Sequence, residues 1–121
     1  MKKQMEIPGL ICTKPGSFEY RNIAKPGLST GQAIIKIKRI GICGTDIHAF
    51  EGTQPYFTYP RILGHELSGD LVEADRAVDF RQVEAVTFIP YFNCVKCIAC
   101  RNGKPNCCID IKVLGVHIDG G

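Results

Sequence analysis

The sequence predicts a mainly β domain, a small barrel or sandwich of short strands separated by turns. Apolar and polar side chains alternate over residues 33–39, as in a half-buried strand. Residues 68–73 and 83–89 are further short β-prone runs, and the Pro15-Gly16 and Pro26-Gly27 pairs predict turns in the first third. Short strands punctuated in this way are typical of a barrel or sandwich.

Length and composition limit the other possibilities. A chain of 121 residues forms one domain and buries about two thirds of the surface its unfolded chain exposes. Helix is expected only as a turn or two around residues 45–50 and within the segment near residue 100. No apolar run approaches the roughly 20 residues of a membrane span. The net charge of +3 is too weak and too scattered to predict nucleic-acid binding.

Four closely spaced cysteines are the strongest chemical signal. They follow the pattern C-x2-C-x2-C-x7-C at Cys94, Cys97, Cys100 and Cys108. Four thiolates suit a tetrahedral Zn²⁺ site, and such a closed site is structural because it leaves no position for a substrate. Cys107 could replace Cys108 as the fourth ligand, since spacing alone does not separate the two.

Two other uses of these cysteines fit less well. A bacterial ferredoxin run requires its next cysteine after three residues, where this chain has Lys104. A secreted disulfide scaffold is disfavoured by the odd count of seven cysteines and by an N-terminus without a signal peptide. We therefore expect metal-bound thiols in a reducing compartment and a cytoplasmic protein.

Two further motifs carry reactive groups. Residues 41–48 read G-I-C-G-T-D-I-H, which places a thiol, a hydroxyl, a carboxylate and an imidazole within six positions. Residues 64–69 read G-H-E-L-S-G. A metalloprotease helix would need H-E-x-x-H, and Gly69 stands where the second histidine belongs.

Taken together, these motifs resemble the zinc-dependent medium-chain dehydrogenases, the family of alcohol, sorbitol and threonine dehydrogenases. The resemblance spans nearly the whole chain and rests on residues 41–48, 60–69, 94–108 and 113–121. It implies that residues 1–121 are the N-terminal catalytic domain of that family. The implied fold is a GroES-like, partly open β-barrel with short helices and a four-cysteine zinc lobe at 94–108, with Cys108 as the fourth lobe ligand.

The resemblance also implies a second, catalytic zinc. Cys43 and His65 would be two of its ligands, Asp46 would fix the tautomer of His65, and Glu66 would lie beside the metal or bind it. Such a zinc lowers the pKa of a bound alcohol and stabilises the alkoxide from which hydride departs to NAD or NADP. The expected substrate is a small alcohol, polyol or sugar derivative.

Thr45 and His48 are the implied catalytic residues. Thr45 would take the alcohol proton and pass it through the cofactor ribose to His48, whose near-neutral pKa suits release to solvent. Each residue has a simpler interpretation. Thr45 and Asp46 are both typical helix N-caps, and His48 could be a surface histidine without a role.

The dinucleotide site of a dehydrogenase is not in this sequence. It contains no G-x-G-x-x-G, so we expect the Rossmann domain and the third catalytic ligand to lie beyond Gly121, and no turnover by the chain alone. Asp75 and Val83 depart from the small residue and the glycine that the family has there, so its loop geometry is not expected to carry over to residues 75–83. A barrel without its partner domain is expected to expose apolar surface, which favours a homo-oligomer.

Two other functions use part of the same pattern. A zinc-ribbon-like module would bind nucleic acid through basic residues in and near the lobe, at Lys96, Arg101, Lys104 and Lys112. A non-catalytic GroES-like barrel would act in assembly. Neither alternative explains Cys43 and His65, so we expect no nucleic-acid partner and no membrane partner.

Overall fold

A computed structural model of the protein describes residues 5–76 and 85–121. Its elements in chain order are β1 (Glu6–Lys14), β2 (Ser17–Ala24), β3 (Ala33–Gly41), α1 (Gly44–Glu51), β4 (Glu66–Ala74), β5 (Val86–Thr87), β6 (Tyr91–Phe92), α2 (Ile98–Arg101), a 3₁₀ turn (Pro105–Cys107) and β7 (Lys112–Val113). The mainly β fold with short helices is therefore confirmed. Along the described ranges, no helix has the length and apolar character that a membrane crossing requires.

Within the described residues, three antiparallel sheets form the barrel wall. β1 and β2 make a hairpin, β3, β4 and β5 make a three-stranded sheet in that order, and β6 pairs with β7. The register between β3 and β4 shifts twice, between Ile34 and Ile35 and between Ile37 and Arg39. Such bulges bend and twist a strand pair, which suits a curved wall.

The structure contains two of the predicted strands in full, part of a third, and the first of the two predicted turns. The runs at 33–39 and 68–73 lie within β3 and β4, and Pro15-Gly16 is the turn of the β1–β2 hairpin. Of the run at 83–89, Val86–Thr87 form β5, and residues 83 and 84 lie outside the described ranges. The second turn prediction was wrong, because the turn falls at Thr30–Gly31 and not at Pro26-Gly27.

Asp75, which follows β4 directly, forms hydrogen bonds with the turn at Thr30–Gly31 and the residue after it. Its Oδ2 accepts a hydrogen bond of 2.7 Å from the Gly31 amide, and its own amide donates to the Gln32 carbonyl at 2.9 Å. The carboxylate at this position therefore has a local role in the loop between β2 and β3. The other departure from the family pattern, Val83, lies outside the described residues.

A small apolar core lies between α1 and the loops that surround it. Ala49, Phe57 and Val116 form its buried centre, and the rings of Phe57 and Tyr59 meet edge to face with centroids 4.9 Å apart. The Tyr59 hydroxyl donates to the Ala49 carbonyl, which satisfies a buried polar group beside the core. The core therefore fixes α1, the element that begins at Cys43.

Candidate metal centres

The first candidate centre is built around the start of α1. Cys43 is the N-cap of this helix and has extended backbone angles, with φ −117° and ψ 178°. Its amide donates a 3.0 Å hydrogen bond to Asp46 Oδ2 one turn later. A carboxylate at this position accepts a hydrogen bond from an N-terminal amide, and its negative charge interacts favourably with the helix dipole. The predicted helix around 45–50 is therefore present. Its N-cap is Cys43, whereas the sequence offered Thr45 and Asp46 as candidate caps.

His65 approaches Cys43 from the loop before β4. Its Nε2 lies 3.2 Å from Cys43 Sγ, although 22 residues separate the two in sequence. On the other side of the ring, Nδ1 is buried without a hydrogen-bond partner and lies 3.7 Å from Asp46 Oδ1. The same carboxylate oxygen accepts the Gly64 amide at 3.3 Å, and Asp46 is only 7% exposed.

These donors suit a metal ion. Sγ of Cys43 and Nε2 of His65 converge, and Cys43, Asp46 and His65 each offer one ligand atom, with all three atoms within 4.8 Å of one another. A histidine that ligates through Nε2 carries its proton on Nδ1, and that atom faces the Asp46 carboxylate. A cavity of about 730 Å³ opens beside His65 and Glu66, on the His65 side of the centre. This arrangement is compatible with an imidazole that ligates through Nε2 and turns Nδ1–H toward the Asp46 carboxylate.

Glycines at positions 64, 115 and 120 allow the His65 loop to lie against the last residues of the sequence. A Cβ on Gly120 would lie 2.1 Å from the Gly64 carbonyl oxygen, and one on Gly115 would lie 2.7 Å from it. The Gly120 and Gly121 amides donate to the Ile62 and Gly64 carbonyls at 2.8 and 3.3 Å. Sequence reasoning missed this packing, and the only signal was the presence of glycines in both segments.

The second candidate centre is the four-cysteine lobe. The Sγ atoms of Cys94, Cys97, Cys100 and Cys108 all lie within 4.8 Å of one another. A tetrahedral site with Zn–S bonds of about 2.3 Å places its sulfurs about 3.8 Å apart, so small movements would close this cluster on a zinc ion. All seven cysteines lie in the described ranges, and none of them forms a disulfide there. Cys107 is exposed and outside the cluster, which favours Cys108 as the fourth ligand.

The surroundings of these thiols separate their pKa values. Backbone hydrogen bonds from Cys100 and Ile109 lower the pKa of Cys97 from 9.0 to about 6. The Cys94 amide lowers the pKa of Cys108, but burial and the neighbouring thiols outweigh it and raise that pKa to about 11. One thiolate is thus ready at neutral pH, whereas a cation must displace a proton to engage Cys108.

The other predicted site residues lie outside both clusters. Thr45 is half-buried in the first turn of α1. The exposed ring of His48 lies 3.1 Å from Thr53 Oγ1 and 3.6 Å from Glu51 through its Nδ1. The Glu66 side chain lies over Gly41, where an added Cβ would come within 2.5 Å of Oε2. The structure therefore joins Cys43, Asp46 and His65, and the roles of Thr45, His48 and Glu66 stay predictions.

Comparison with known proteins gives the family. The family model of the alcohol dehydrogenase GroES-like domain matches residues 29–121. The chain belongs to this family. L-galactonate-5-dehydrogenase of Escherichia coli K12 is 47% identical to this GroES-like domain over 113 residues, which cover 93% of the chain and 33% of that protein. L-threonine 3-dehydrogenase of Pyrococcus horikoshii is 36% identical over 120 residues, with coverage of 95% and 34%.

Solved structures share the fold. A short chain alcohol dehydrogenase from Escherichia coli CFT073, complexed with NADH, superposes with a TM-score of 0.84 and 35% identity. The match covers 96% of this GroES-like domain and 34% of that chain. The 121 residues therefore span about a third of the length of the curated relatives and solved chains that they match.

Proposed function

We propose that this chain is the zinc-binding N-terminal part of an NAD(P)-dependent alcohol or polyol dehydrogenase. The observation that carries the proposal is the convergence of Cys43 Sγ and His65 Nε2 at 3.2 Å, with the buried Asp46 behind the ring. A thiol and an imidazole are ligands that catalytic zinc uses, and the related dehydrogenases support the reaction class.

In this proposal Cys43 and His65 hold the catalytic zinc. Zinc at such a site supplies Lewis acidity, which lowers the pKa of an alcohol and stabilises the alkoxide. Asp46 keeps the proton of His65 on Nδ1 and orients the ring, while its hydrogen bond from Cys43 fixes the start of α1. Glu66 lies next to His65 in sequence and either flanks the site or joins it.

Thr45 and His48 form the proposed route for the substrate proton. Both lie on α1 and are separated by one helical turn, so they point along neighbouring parts of one face. Thr45 would hold the proton of the substrate hydroxyl at its Oγ1. His48 is exposed and hydrogen-bonded to Thr53, which places an imidazole at the solvent end of that route.

The four-cysteine lobe is proposed to hold a structural zinc. Four sulfurs complete a tetrahedral shell, so no position remains for substrate. The lobe carries basic side chains, but the nucleic-acid alternative gives no use to Cys43, Asp46 and His65. A non-catalytic assembly role likewise leaves the cleft beside His65 without a purpose.

The remaining parts of the reaction require more than these 121 residues. The relatives are about three times as long, and we propose that a dinucleotide-binding domain and a third ligand complete the enzyme. The chain by itself would then bind metal without oxidising a small alcohol, polyol or sugar derivative. Seven free thiols fit a reducing, cytoplasmic setting.

Zinc content tests the proposal directly. The chain is loaded with zinc and dialysed, and zinc per chain is measured by elemental analysis for wild type, Cys43→Ser and Cys97→Ser. We expect two zincs in the wild type, with the first variant losing only the catalytic ion and the second losing only the lobe ion. Cys107→Ser is the matched control and should retain both ions, because Cys107 is exposed and outside the cluster.

The opposite results are equally specific. If Cys43→Ser binds as much zinc as the wild-type chain, the result would argue against a metal at Cys43 and His65. Loss of zinc in Cys107→Ser would overturn the assignment of Cys108. Binding of a nucleic-acid duplex that weakens steeply with salt would instead support the zinc-ribbon alternative.

A further inference from the structure

The β1–β2 hairpin contributes no residue to either of the two candidate metal centres found among the described residues. It also lies before residue 29, where the match to the GroES-like family begins. The hairpin nevertheless contacts both chain segments that carry the first candidate centre. One contact is with α1, which begins at Cys43, and the other is with the loop that leads to His65.

The hairpin holds the C-terminal half of α1 through its turn. The rings of Phe18 and Phe50 stack with centroids 5.1 Å apart and planes 10° from parallel. Beside this stack, the Gly16 amide donates a 2.7 Å hydrogen bond to the Phe50 carbonyl. Pro15 packs so closely on Gly52 that a Cβ there would lie 2.7 Å from the proline ring. Side-chain and main-chain contacts therefore fix the helix to the turn.

The same hairpin holds the His65 loop through β1. Cys12 and Arg61 exchange two main-chain hydrogen bonds, 2.8 Å from the Cys12 amide and 3.0 Å from the Arg61 amide. Cys12 is completely buried at this contact. Arg61 lies four residues before His65, and its side chain reaches Thr58 Oγ1 at 2.9 Å. The loop is thereby fixed to the strand although it has no regular structure of its own.

We propose that the β1–β2 hairpin sets the position of Cys43 relative to His65, with Phe18 as a positioning residue. An isolated helix of eight residues is too short to be stable, so α1 takes its position from its tertiary contacts. Because both segments are fixed to one hairpin, the 3.2 Å approach of sulfur to nitrogen depends on that hairpin. The proposal uses the metal of the proposed function only as a reporter.

Cadmium NMR of the Cd²⁺-loaded chain provides the site-specific test. The four-thiolate lobe and the mixed sulfur–nitrogen centre give separate resonances, so the lobe is an internal reference within each sample. We expect Phe18→Ala to shift or broaden the mixed-centre resonance and to weaken its Cd²⁺ affinity roughly three- to tenfold, the range that aromatic pairs imply. The lobe resonance should not move. A general loss of stability would not produce this selectivity.

Tyr20→Ala is the matched control. Tyr20 lies two residues along β2 from Phe18, and it is 81% exposed. This variant removes a comparable ring from the same strand and should leave both resonances unchanged. Equal responses in the two variants, or no response in Phe18→Ala, would overturn the proposal.

Amide hydrogen exchange of the metal-free chain tests the hairpin without any metal. The Cys43 and Gly64 amides both donate to Asp46, so they report the junction of the two segments. Phe18→Ala should accelerate their exchange roughly three- to tenfold and leave unchanged the Asp75 amide, which donates to the Gln32 carbonyl just past the far end of β4. If the wild type gives only the lobe resonance, the metal proposal fails, while unchanged exchange in Phe18→Ala would separately refute the hairpin's role.

Discussion

Asp46 is the residue on which the first centre depends most. A buried carboxylate is costly unless its oxygens are paired, and here Oδ2 accepts the Cys43 amide while Oδ1 accepts the Gly64 amide. The same Oδ1 faces His65 Nδ1. The carboxylate therefore joins the helix cap, the loop before β4 and the imidazole, three parts that come from separate stretches of sequence.

Asp46→Asn should weaken this junction without changing its shape. The asparagine side chain retains one acceptor oxygen, but its NH2 group would face the Cys43 or the Gly64 amide, and that main-chain donor would be left without an acceptor. We expect a loss of about 1–3 kcal/mol in the free energy of unfolding. We also expect a roughly 10–100-fold lower metal affinity at Cys43 and His65, as for other partners of a ligating histidine. Urea unfolding and competition with a chromogenic chelator measure the two effects.

Asp70→Asn is the control for this substitution. Asp70 forms an ion pair of 3.1 Å with Lys38, and both side chains are 44% exposed. Exposed pairs of this kind contribute less than about 1 kcal/mol, so unfolding and metal affinity should hardly change. Wild-type metal affinity in Asp46→Asn would show that the carboxylate does not orient His65.

At the scale of elements, the loop before β4 and the end of the chain meet backbone to backbone. Only glycine allows this, because side chains at positions 115 and 120 would enter the space of the Gly64 peptide. Hydrogen bonds from Gly120 and Gly121 then extend the contact. The position of His65 thus depends on residues 50 or more positions later in the sequence.

Gly120→Ala should therefore displace the His65 loop. The added Cβ would lie 2.1 Å from the Gly64 carbonyl and 2.7 Å from the Leu63 carbonyl, so main chain and not a flexible side chain must move. We expect a cost of about 3 kcal/mol, at the upper end for overpacking. Amide chemical shifts should change around residues 62–66, and thermal unfolding reports the loss of stability.

Gly27→Ala provides the comparison, because a Cβ there meets nothing within 4 Å. It should change the free energy of unfolding by no more than about 0.5 kcal/mol. If Gly120→Ala were equally neutral, the close approach of the two segments would not exist in solution.

These elements also show how far the sequence could be interpreted. β3 was predictable because apolar and polar side chains alternate along it, β4 because it contains a β-prone run, and α1 because Thr45 and Asp46 are typical of a helix start. β1 was not, since Pro8 and Gly9 interrupt its pattern and its pairing with β2 is seen only in three dimensions. The ligand types were visible in the motifs. Their support from Phe18 and Gly120 was not, because long-range packing leaves no local periodicity.

At the scale of the whole molecule, the two candidate centres lie in regions of different construction. The barrel side has buried apolar residues, among them Ala49, Phe57 and Leu67. In the lobe, residues 94–108, Cys108 is the buried side chain, while Val95 and Ile98 are each at least 70% exposed, as is Ile109 next to the lobe. Without a hydrophobic core, a segment of this kind takes its stability from the metal.

Removal of zinc should therefore unfold the lobe and leave the barrel folded. The lobe carries exposed trypsin sites at Lys96 and Arg101, and Lys36 and Arg39 provide reference sites within β3. With zinc bound, we expect all four sites to resist cleavage. After a strong chelator is added, cleavage should begin at the lobe sites first, since proteolysis follows local opening. Mass spectrometry of the early fragments identifies the sites. Simultaneous cleavage in β3 would mean that the lobe and the barrel unfold as one unit, and an unchanged lobe would mean that its fold does not depend on metal.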